Sequence, residues 1–114
     1  MINLSGKNII IARGDSGDLV FLNPYGFEVG TYYFGVKRSA RWWDPEEPYL
    51  FPVKTVTISS TDTQTLGITL TKDDSDKPVG TYTWGLRFVN GAVVDTLITD
   101  GSFQIVGSVV QTLT

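Results

Sequence analysis

The chain has 114 residues, enough for one domain with a modest core, and its 41% hydrophobic and 12% aromatic content excludes a disordered chain. A net charge of −3 gives no basic surface of the kind that binds nucleic acid. Cys and His are both absent, which excludes disulfides, thiolate metal sites and the commonest catalytic base. We therefore expect a non-enzymatic protein without a cofactor or a metal.

The chain begins Met-Ile-Asn-Leu-Ser-Gly-Lys, which lacks the basic and then apolar layout of a signal peptide. No apolar run approaches the roughly 20 residues that span a membrane as a helix. We expect a soluble protein that is made in the cytoplasm, without a signal peptide and without a membrane partner.

Short apolar runs separated by turn residues come first along the chain. Residues 8–12 (Asn-Ile-Ile-Ile-Ala) and 19–22 (Leu-Val-Phe-Leu) each predict a β-strand. Residues 13–18 and 23–26 are rich in Gly, Asp, Asn, Ser and Pro, so each predicts a turn. The beginning of the chain therefore indicates a β-sheet.

A nine-residue sequence then occurs twice, and we call its two occurrences the repeat copies. Residues 29–37 read Val-Gly-Thr-Tyr-Tyr-Phe-Gly-Val-Lys, and residues 79–87 read Val-Gly-Thr-Tyr-Thr-Trp-Gly-Leu-Arg. The alternation is that of a half-buried strand, with a Gly where the other face needs no bulk. We predict that the repeated tyrosine and the aromatic two positions later point into one shared core in both copies: Tyr32, Phe34, Tyr82 and Trp84.

Residues 39–53, between the repeat copies, differ in kind from the rest of the chain. The segment contains three prolines, two tryptophans and three acidic residues. Proline at this density is not tolerated in an interior strand, so we predict a long irregular loop. The aromatic side chains of this loop are the candidate interface or recognition residues, and they are Trp42, Trp43, Tyr49 and Phe51.

Alternating residues predict two further strands, at 54–59 and 66–70, and a charged turn at 72–78 leads into the second repeat copy. Asn90-Gly91 then indicates a hairpin between two apolar runs. The second turn signal, Asp100-Gly101, predicts that the chain reverses again into a last strand through residues 103–105.

The register of the predicted hairpin depends on the length of its loop. A two-residue loop, Asn90-Gly91, would place Asp95 on the core face opposite Leu86. A three-residue loop that includes Ala92 buries fewer polar atoms, and register is set by the buried face. We therefore predict the three-residue loop, with Arg87 opposite Asp95 on the outer face.

No segment shows a sustained helical period of apolar residues. Seven or eight short strands separated by turns predict one all-β domain over residues 1–114. We favour an antiparallel β-sandwich over a barrel.

The order of these residues is similar to that in a family of phage proteins. Residues 13–19 resemble a Gly-Asp-Ser/Thr-Gly opening, and residues 36–38 resemble a Val-Lys strand. Residues 80–84, Asn90-Gly91, Thr96-Leu97 and residues 101–103 resemble a shared ending of the form G-x-Y-x-aromatic, N-G, T-L and G-x-F. The family is the N-terminal domain of phage baseplate upper proteins, together with similar phage and prophage tail or fibre proteins.

The resemblance implies an immunoglobulin-like β-sandwich that serves virion assembly rather than catalysis. It implies a tail, baseplate or fibre component, found in the virion after synthesis in the bacterial host cytoplasm. Symmetric homo-oligomers are the default for such parts. The expected partners are therefore other copies of the chain and other virion proteins.

The tryptophan pair in the loop has three interpretations. Both side chains can simply pack the loop onto the sandwich, or one can remain exposed and anchor a subunit interface, where Trp is enriched. An exposed aromatic rim can also stack on sugar rings. That third interpretation gives the alternative function, a carbohydrate-binding module that uses Trp42 and Trp43 to hold a host surface glycan.

Other motifs have simpler explanations. Residues 13–16 spell the integrin-binding sequence Arg-Gly-Asp-Ser, but so short a match recurs by chance and a turn is expected there. Residues 73–76 offer oxygen ligands, but they lack the Gly and the distal Glu of a calcium loop. Asp44, Glu46 and Glu47 are carboxylates of the type that glycosidases use in pairs, but they lie in a Pro-rich loop. We predict no catalytic, cofactor-binding or metal site.

Overall fold

The computed structural model describes residues 2–108, and the chain there is mostly β-strand. Two short helical segments interrupt the strands, a 3₁₀ turn at Ser39–Arg41 and the helix α1 at Lys72–Ser75. The eight strands of the described residues are β1 (Ile2–Ser5), β2 (Asn8–Ala12), β3 (Gly17–Leu22), β4 (Gly30–Arg38), β5 (Lys54–Ile58), β6 (Thr65–Leu70), β7 (Gly80–Asn90) and β8 (Val93–Val106).

The strands form two sheets that pack face to face. The larger sheet has the order β1-β2-β8-β7-β4-β5, and the smaller one pairs β3 with β6. The larger sheet curls, so that β5 contacts β6 at one side and β1 contacts β3 at the other. The prediction of an all-β sandwich is confirmed. It is not wholly antiparallel, because β2 and β8 run parallel.

In both repeat copies the tyrosine and the aromatic residue two positions later point into the core between the sheets, as predicted, whereas Tyr33 of the first copy faces outward. Tyr32, Phe34, Tyr82 and Trp84 are all buried in one cluster. The rings of Phe34 and Trp84 lie 5.4 Å apart between centroids. The repeat is therefore explained by packing, since each copy supplies one central strand of the larger sheet.

The repeated tyrosine has a second function in both copies. The hydroxyl of Tyr32 donates to the carbonyl of Glu28 at 2.8 Å, and that of Tyr82 donates to the carbonyl of Pro78 at 2.6 Å. Each bond reaches back four residues and ties the strand to the segment that precedes it. Tyrosines that bond in this way to upstream backbone also occur in immunoglobulin-type sandwiches, where they hold a corner between strands.

The hairpin between β7 and β8 has a two-residue loop, and its predicted register is wrong. Asn90 pairs with Val93, which leaves Gly91 and Ala92 in the turn. Gly91 has φ +57° and Ala92 does not have a positive φ, as in a type II′ turn. Arg87 therefore lies opposite Thr96, while Asp95 lies opposite Phe88.

The prediction failed because it assumed one buried face along the whole hairpin. Residues 93–97 of β8 are exposed on both faces, so Asp95 remains in solvent whichever residue it opposes. Burial therefore does not select the register there. The register of the two strands shifts once on each side of Leu86, and these shifts bring Trp84 opposite Gly101.

The turn predicted at Asp100-Gly101 is absent. β8 continues without interruption through these residues to Val106. The indole of Trp84 occupies the space over the Gly101 Cα, and its Nε1 donates to the carbonyl of Lys7 at 2.9 Å. Gly101 thus allows close packing inside a strand rather than a change of chain direction.

Candidate functional site

The outer face of the larger sheet, on the side away from the core, carries an open groove between the repeat copies and the 39–53 loop. The register of β4 and β7 places Gly35 directly opposite Gly85. Because neither residue has a side chain, the backbone of the two strands forms the floor of the groove there. The groove has a volume of about 810 Å³, within the range of ligand sites of roughly 300–1,000 Å³.

Tyr49 covers part of this floor. A Cβ atom at Gly35 would lie only 2.7 Å from Tyr49 Cε1, so the ring rests directly on the glycine. Lys37 Nζ lies 4.8 Å from the centre of the same ring, within the range of a cation–π contact. The Lys37 ammonium also donates to the carbonyl of Asp44 at 3.0 Å. The loop and the strand are therefore joined at the groove.

The walls of the groove carry further aromatic and cationic groups. Trp42 and Trp43 line the loop side, with 39% and 67% of their surfaces exposed. Tyr33 and Arg87 line the opposite side, and they are cross-strand partners in the sheet. The groove is thus bounded by aromatic rings, while both cations of its lining, Lys37 and Arg87, come from the strands.

The loop that carries the tryptophans is fixed by ion pairs and backbone bonds. Glu47 is buried, and its carboxylate receives two hydrogen bonds from the Arg38 guanidinium. Arg41 lies 3.8 Å from the same carboxylate and also pairs with Asp44. The Leu50 amide donates to the Val36 carbonyl at 2.8 Å, which ties the end of the loop to β4. The loop is irregular, and these contacts bind it to the sheet.

These contacts lower the pKa values of two carboxyls in the loop, those of Glu47 and Asp44. The hydrogen bond from Arg38 holds the pKa of Glu47 below its ordinary value of 4.5, against the opposing effect of burial. The backbone N–H of Glu46 and then the Arg41 guanidinium lower the pKa of Asp44. Both groups therefore remain charged to lower pH than free carboxyls do, and their charge holds the loop.

The structure separates the four predicted recognition residues. Trp42, Trp43 and Tyr49 lie together at the groove, and neither tryptophan is buried as an anchor of the loop. Phe51 is only 4% exposed, and its ring lies 6.0 Å from that of Phe103 in the core. Phe51 therefore anchors the end of the loop and is not available to a partner.

Sequence reasoning missed the strand residues of the site. Tyr33, Lys37 and Arg87 occupy the outward positions of the repeat copies, next to the two glycines of the floor. The alternation in each copy predicted which residues face outward. It did not predict that the loop would fold over that face, because the Arg38–Glu47 contact has no signal in the local pattern.

A second exposed surface lies on residues 93–100, the part of β8 that follows the hairpin turn. We call these residues the β8 arm. The arm exposes three apolar side chains, those of Val93, Val94 and Leu97. β2 pairs with β8 only from Ser102 onward, so within residues 2–108 no strand covers the outer edge of the arm. Among the described residues, its backbone groups on that edge have no strand partner.

The remaining motifs make structural contacts in the described residues. Arg13 pairs with Asp76 at 3.0 Å, and the Ser75 hydroxyl donates to the carbonyl of Asp15, so the Arg-Gly-Asp segment is a turn bound to α1. Asp74 forms a capping box with Thr71 at the start of α1. Among residues 2–108, no group of three or more acidic side chains is arranged to hold a metal.

No helix in the described part of the chain is long and apolar enough to cross a membrane. Comparisons of the chain with protein-family models, with curated proteins and with solved structures gave no match.

Proposed function

We propose that this chain is a non-catalytic structural protein of a phage virion, a tail, baseplate or fibre component that acts through protein–protein contacts. The observation that carries the proposal is the β8 arm, where exposed apolar side chains and an uncovered strand edge occur together. The virion context comes from the resemblance of the turn and strand residues to those of baseplate proteins.

The partner we propose for the arm is a second copy of the same chain. An uncovered strand edge is a template for pairing with another strand. The other margins of the two sheets lie against one another, β5 against β6 and β1 against β3. Two arms related by a two-fold axis would satisfy each other's edges and would bury Val93 and Val94 of both copies.

The oligomeric state tests this contact. We expect light scattering after size exclusion to give a dimer or a higher symmetric oligomer for the natural chain, and a monomer for Val94→Lys. A matched control is Val20→Lys in β3, because Val20 is similarly exposed, at 47% against 55% for Val94. The control should keep the oligomer.

Two results would count against the proposal in different ways. A monomer at every concentration would reject self-assembly. An oligomer that survives Val94→Lys but dissociates with Trp43→Ala would move the contact from the arm to the 39–53 loop. Genes for capsid or tail proteins beside its gene would support the virion context, and a metabolic operon would oppose it.

A second candidate function is carbohydrate binding, and the groove favours it. Exposed aromatic rings around an open cleft are suited to stacking on sugar rings. The groove reaches the arm at Thr96, Ile98 and Thr99, so the two candidates are separated by variants of residues that only one of them uses. Val94 is outside the lining of the groove, and Trp43 is part of it.

A further inference from the structure

We infer that the groove binds a saccharide that carries a negative charge, on a carboxylate or a phosphate group. This inference rests on the second candidate function, carbohydrate binding, and it names the class of sugar. It is carried by three properties of the groove: its aromatic walls, the hydrogen-bonding groups of its lining and the sign of its charge.

The aromatic walls are suited to the faces of sugar rings. Trp43 exposes 67% of its surface although the loop that carries it is fixed to the sheet through Glu47. Tyr49 is held on the glycine floor, and Tyr33 stands on the other wall. A ligand would therefore meet rings that are already in position, and little conformational entropy would be lost when it binds.

The lining of the groove offers hydrogen-bonding groups to a ligand. The carbonyl of Ile98 lies beside the floor, 3.0 Å from where a Cβ of Gly85 would be. Thr83 and Thr96 add hydroxyl groups to the lining. Hydroxyls and backbone carbonyls are the partners that the hydroxyls of a sugar require.

The charge of the groove is opposite to that of the chain. The net charge of the chain is −3, yet the residues that line the groove include Lys37 and Arg87 and no acidic residue. Lys37 donates to the Asp44 carbonyl and lies over the Tyr49 ring, and among the described residues its ammonium forms no ion pair. Within residues 2–108 the Arg87 guanidinium has neither an ion-pair nor a hydrogen-bond partner. Both cations can therefore receive an anionic group.

Amide and indole NMR titrations of the full chain test this inference. The probes are an oligogalacturonate, a hexose phosphate, a neutral maltotriose, inorganic phosphate and a short acidic peptide that contains Trp. We expect both acidic saccharides to shift the amides of Gly35, Gly85 and Arg87 and the indole signals of the loop tryptophans. The oligogalacturonate and the hexose phosphate also distinguish a carboxylate from a phosphate as the charged group.

Two variants and two controls locate the binding. We expect Trp43→Ala and Arg87→Gln each to weaken binding of the acidic saccharide by about tenfold or more, the effect of losing one strong contact. Tyr25→Ala is the aromatic control, because Tyr25 is 96% exposed and does not line the groove. Lys72→Gln in α1 is the charge control. Amide dispersion like that of the natural chain would show that each variant is folded.

Several results would overturn the inference. Equal binding of maltotriose would reject the charge requirement and would leave carbohydrate binding in place. Binding of phosphate alone as tightly as the hexose phosphate would mean a simple anion site. Preference for the acidic peptide, or no shifts with any probe, would reject carbohydrate binding at the groove without affecting assembly through the β8 arm.

Discussion

The indole of Trp84 lies so close to Gly101 that a Cβ atom there would be 2.2 Å from the ring nitrogen. Trp84 is fully buried, and its Nε1 is bonded to the carbonyl of Lys7, so the ring cannot move away without losing that bond. The largest side chain of the core therefore requires the smallest residue on the neighbouring strand.

Gly101→Ala should destabilise the fold by about 1–3 kcal/mol, the usual cost of overpacking a core. Urea unfolding followed by tryptophan fluorescence measures the change. Gly107→Ala is the control, because a Cβ there meets no atom within 4 Å. Equal stability of the two variants would show that Trp84 has more freedom than its contacts indicate.

Gly35→Ala should displace the Tyr49 ring without unfolding the protein. The added methyl would lie 2.7 Å from the edge of a partly exposed ring, which can rotate away, whereas the sheet around it does not need to move. The ¹H shifts of the Lys37 side chain report the ring through its ring current, and they should move toward random-coil values. Gly67→Ala on β6, where the added methyl meets nothing, should leave them unchanged.

The 39–53 loop should loosen at acid pH. The pKa of Glu47 is lowered in the folded protein by the Arg38 hydrogen bond, so the charged pair stabilises the loop above the ordinary value of 4.5. This contribution is lost as the pH falls below 4.5 and through the lower folded pKa. Fluorescence of Trp42 and Trp43 should therefore change in acid before the far-ultraviolet circular dichroism of the sheets does.

Glu47→Gln provides the matched variant for this titration. Glutamine keeps the size of the side chain and loses its charge, so the loop should be loose already at neutral pH. The change of tryptophan fluorescence between neutral and acid pH, which we call the acid step, should therefore be smaller in this variant. Replacing both loop tryptophans with Phe leaves only the fluorescence of Trp84, and this fluorescence should not change at the pH of the acid step. A step of unchanged size in Glu47→Gln would assign it to another carboxyl, and Asp44 is the first to examine.

Tyr82→Phe should lower the free energy of unfolding by about 0.5–1.5 kcal/mol, the net value of one hydrogen bond. The hydroxyl of Tyr82 is bonded to the Pro78 carbonyl, and phenylalanine keeps the packing of the ring while removing that bond. Tyr32→Phe should have a similar effect, because its bond to the Glu28 carbonyl is equivalent. Tyr25→Phe, on an exposed turn, should have none.

The sequence predicted most strands and the direction of their side chains, because alternation depends on only a few adjacent residues. It missed β1, a short Ile-Asn-Leu-Ser stretch at the margin of the sheet whose alternation spans only four residues. It also misplaced the hairpin register, since the assumption that one face is buried fails along the β8 arm. These two errors lie at the margins of the larger sheet, whereas the turn wrongly predicted at Asp100-Gly101 lies against the buried Trp84 ring.

Only part of the candidate site was predicted from the sequence, because the rest depends on three-dimensional contacts. The composition of residues 39–53 identified Trp42, Trp43 and Tyr49, but Phe51 has the same aromatic character and is buried. Exposure of these residues depends on where the loop folds, and contacts such as Arg38–Glu47 decide that in three dimensions. The glycine floor also required the register of β4 and β7, which places Gly35 and Gly85 together.

The parallel pairing of β2 with β8 has a consequence for the order in which the protein folds. Ile9 lies beside Phe103, and Ile11 beside Ile105, so the second strand of the chain completes the sheet only with its last strand. Contacts between such distant segments make folding slow, because the loop between them must be closed first. During synthesis, β2 can therefore pair with β8 only after nearly all of the described chain has been made. A nascent chain that ends before residue 101 exposes Ile9 and Ile11 to chaperones.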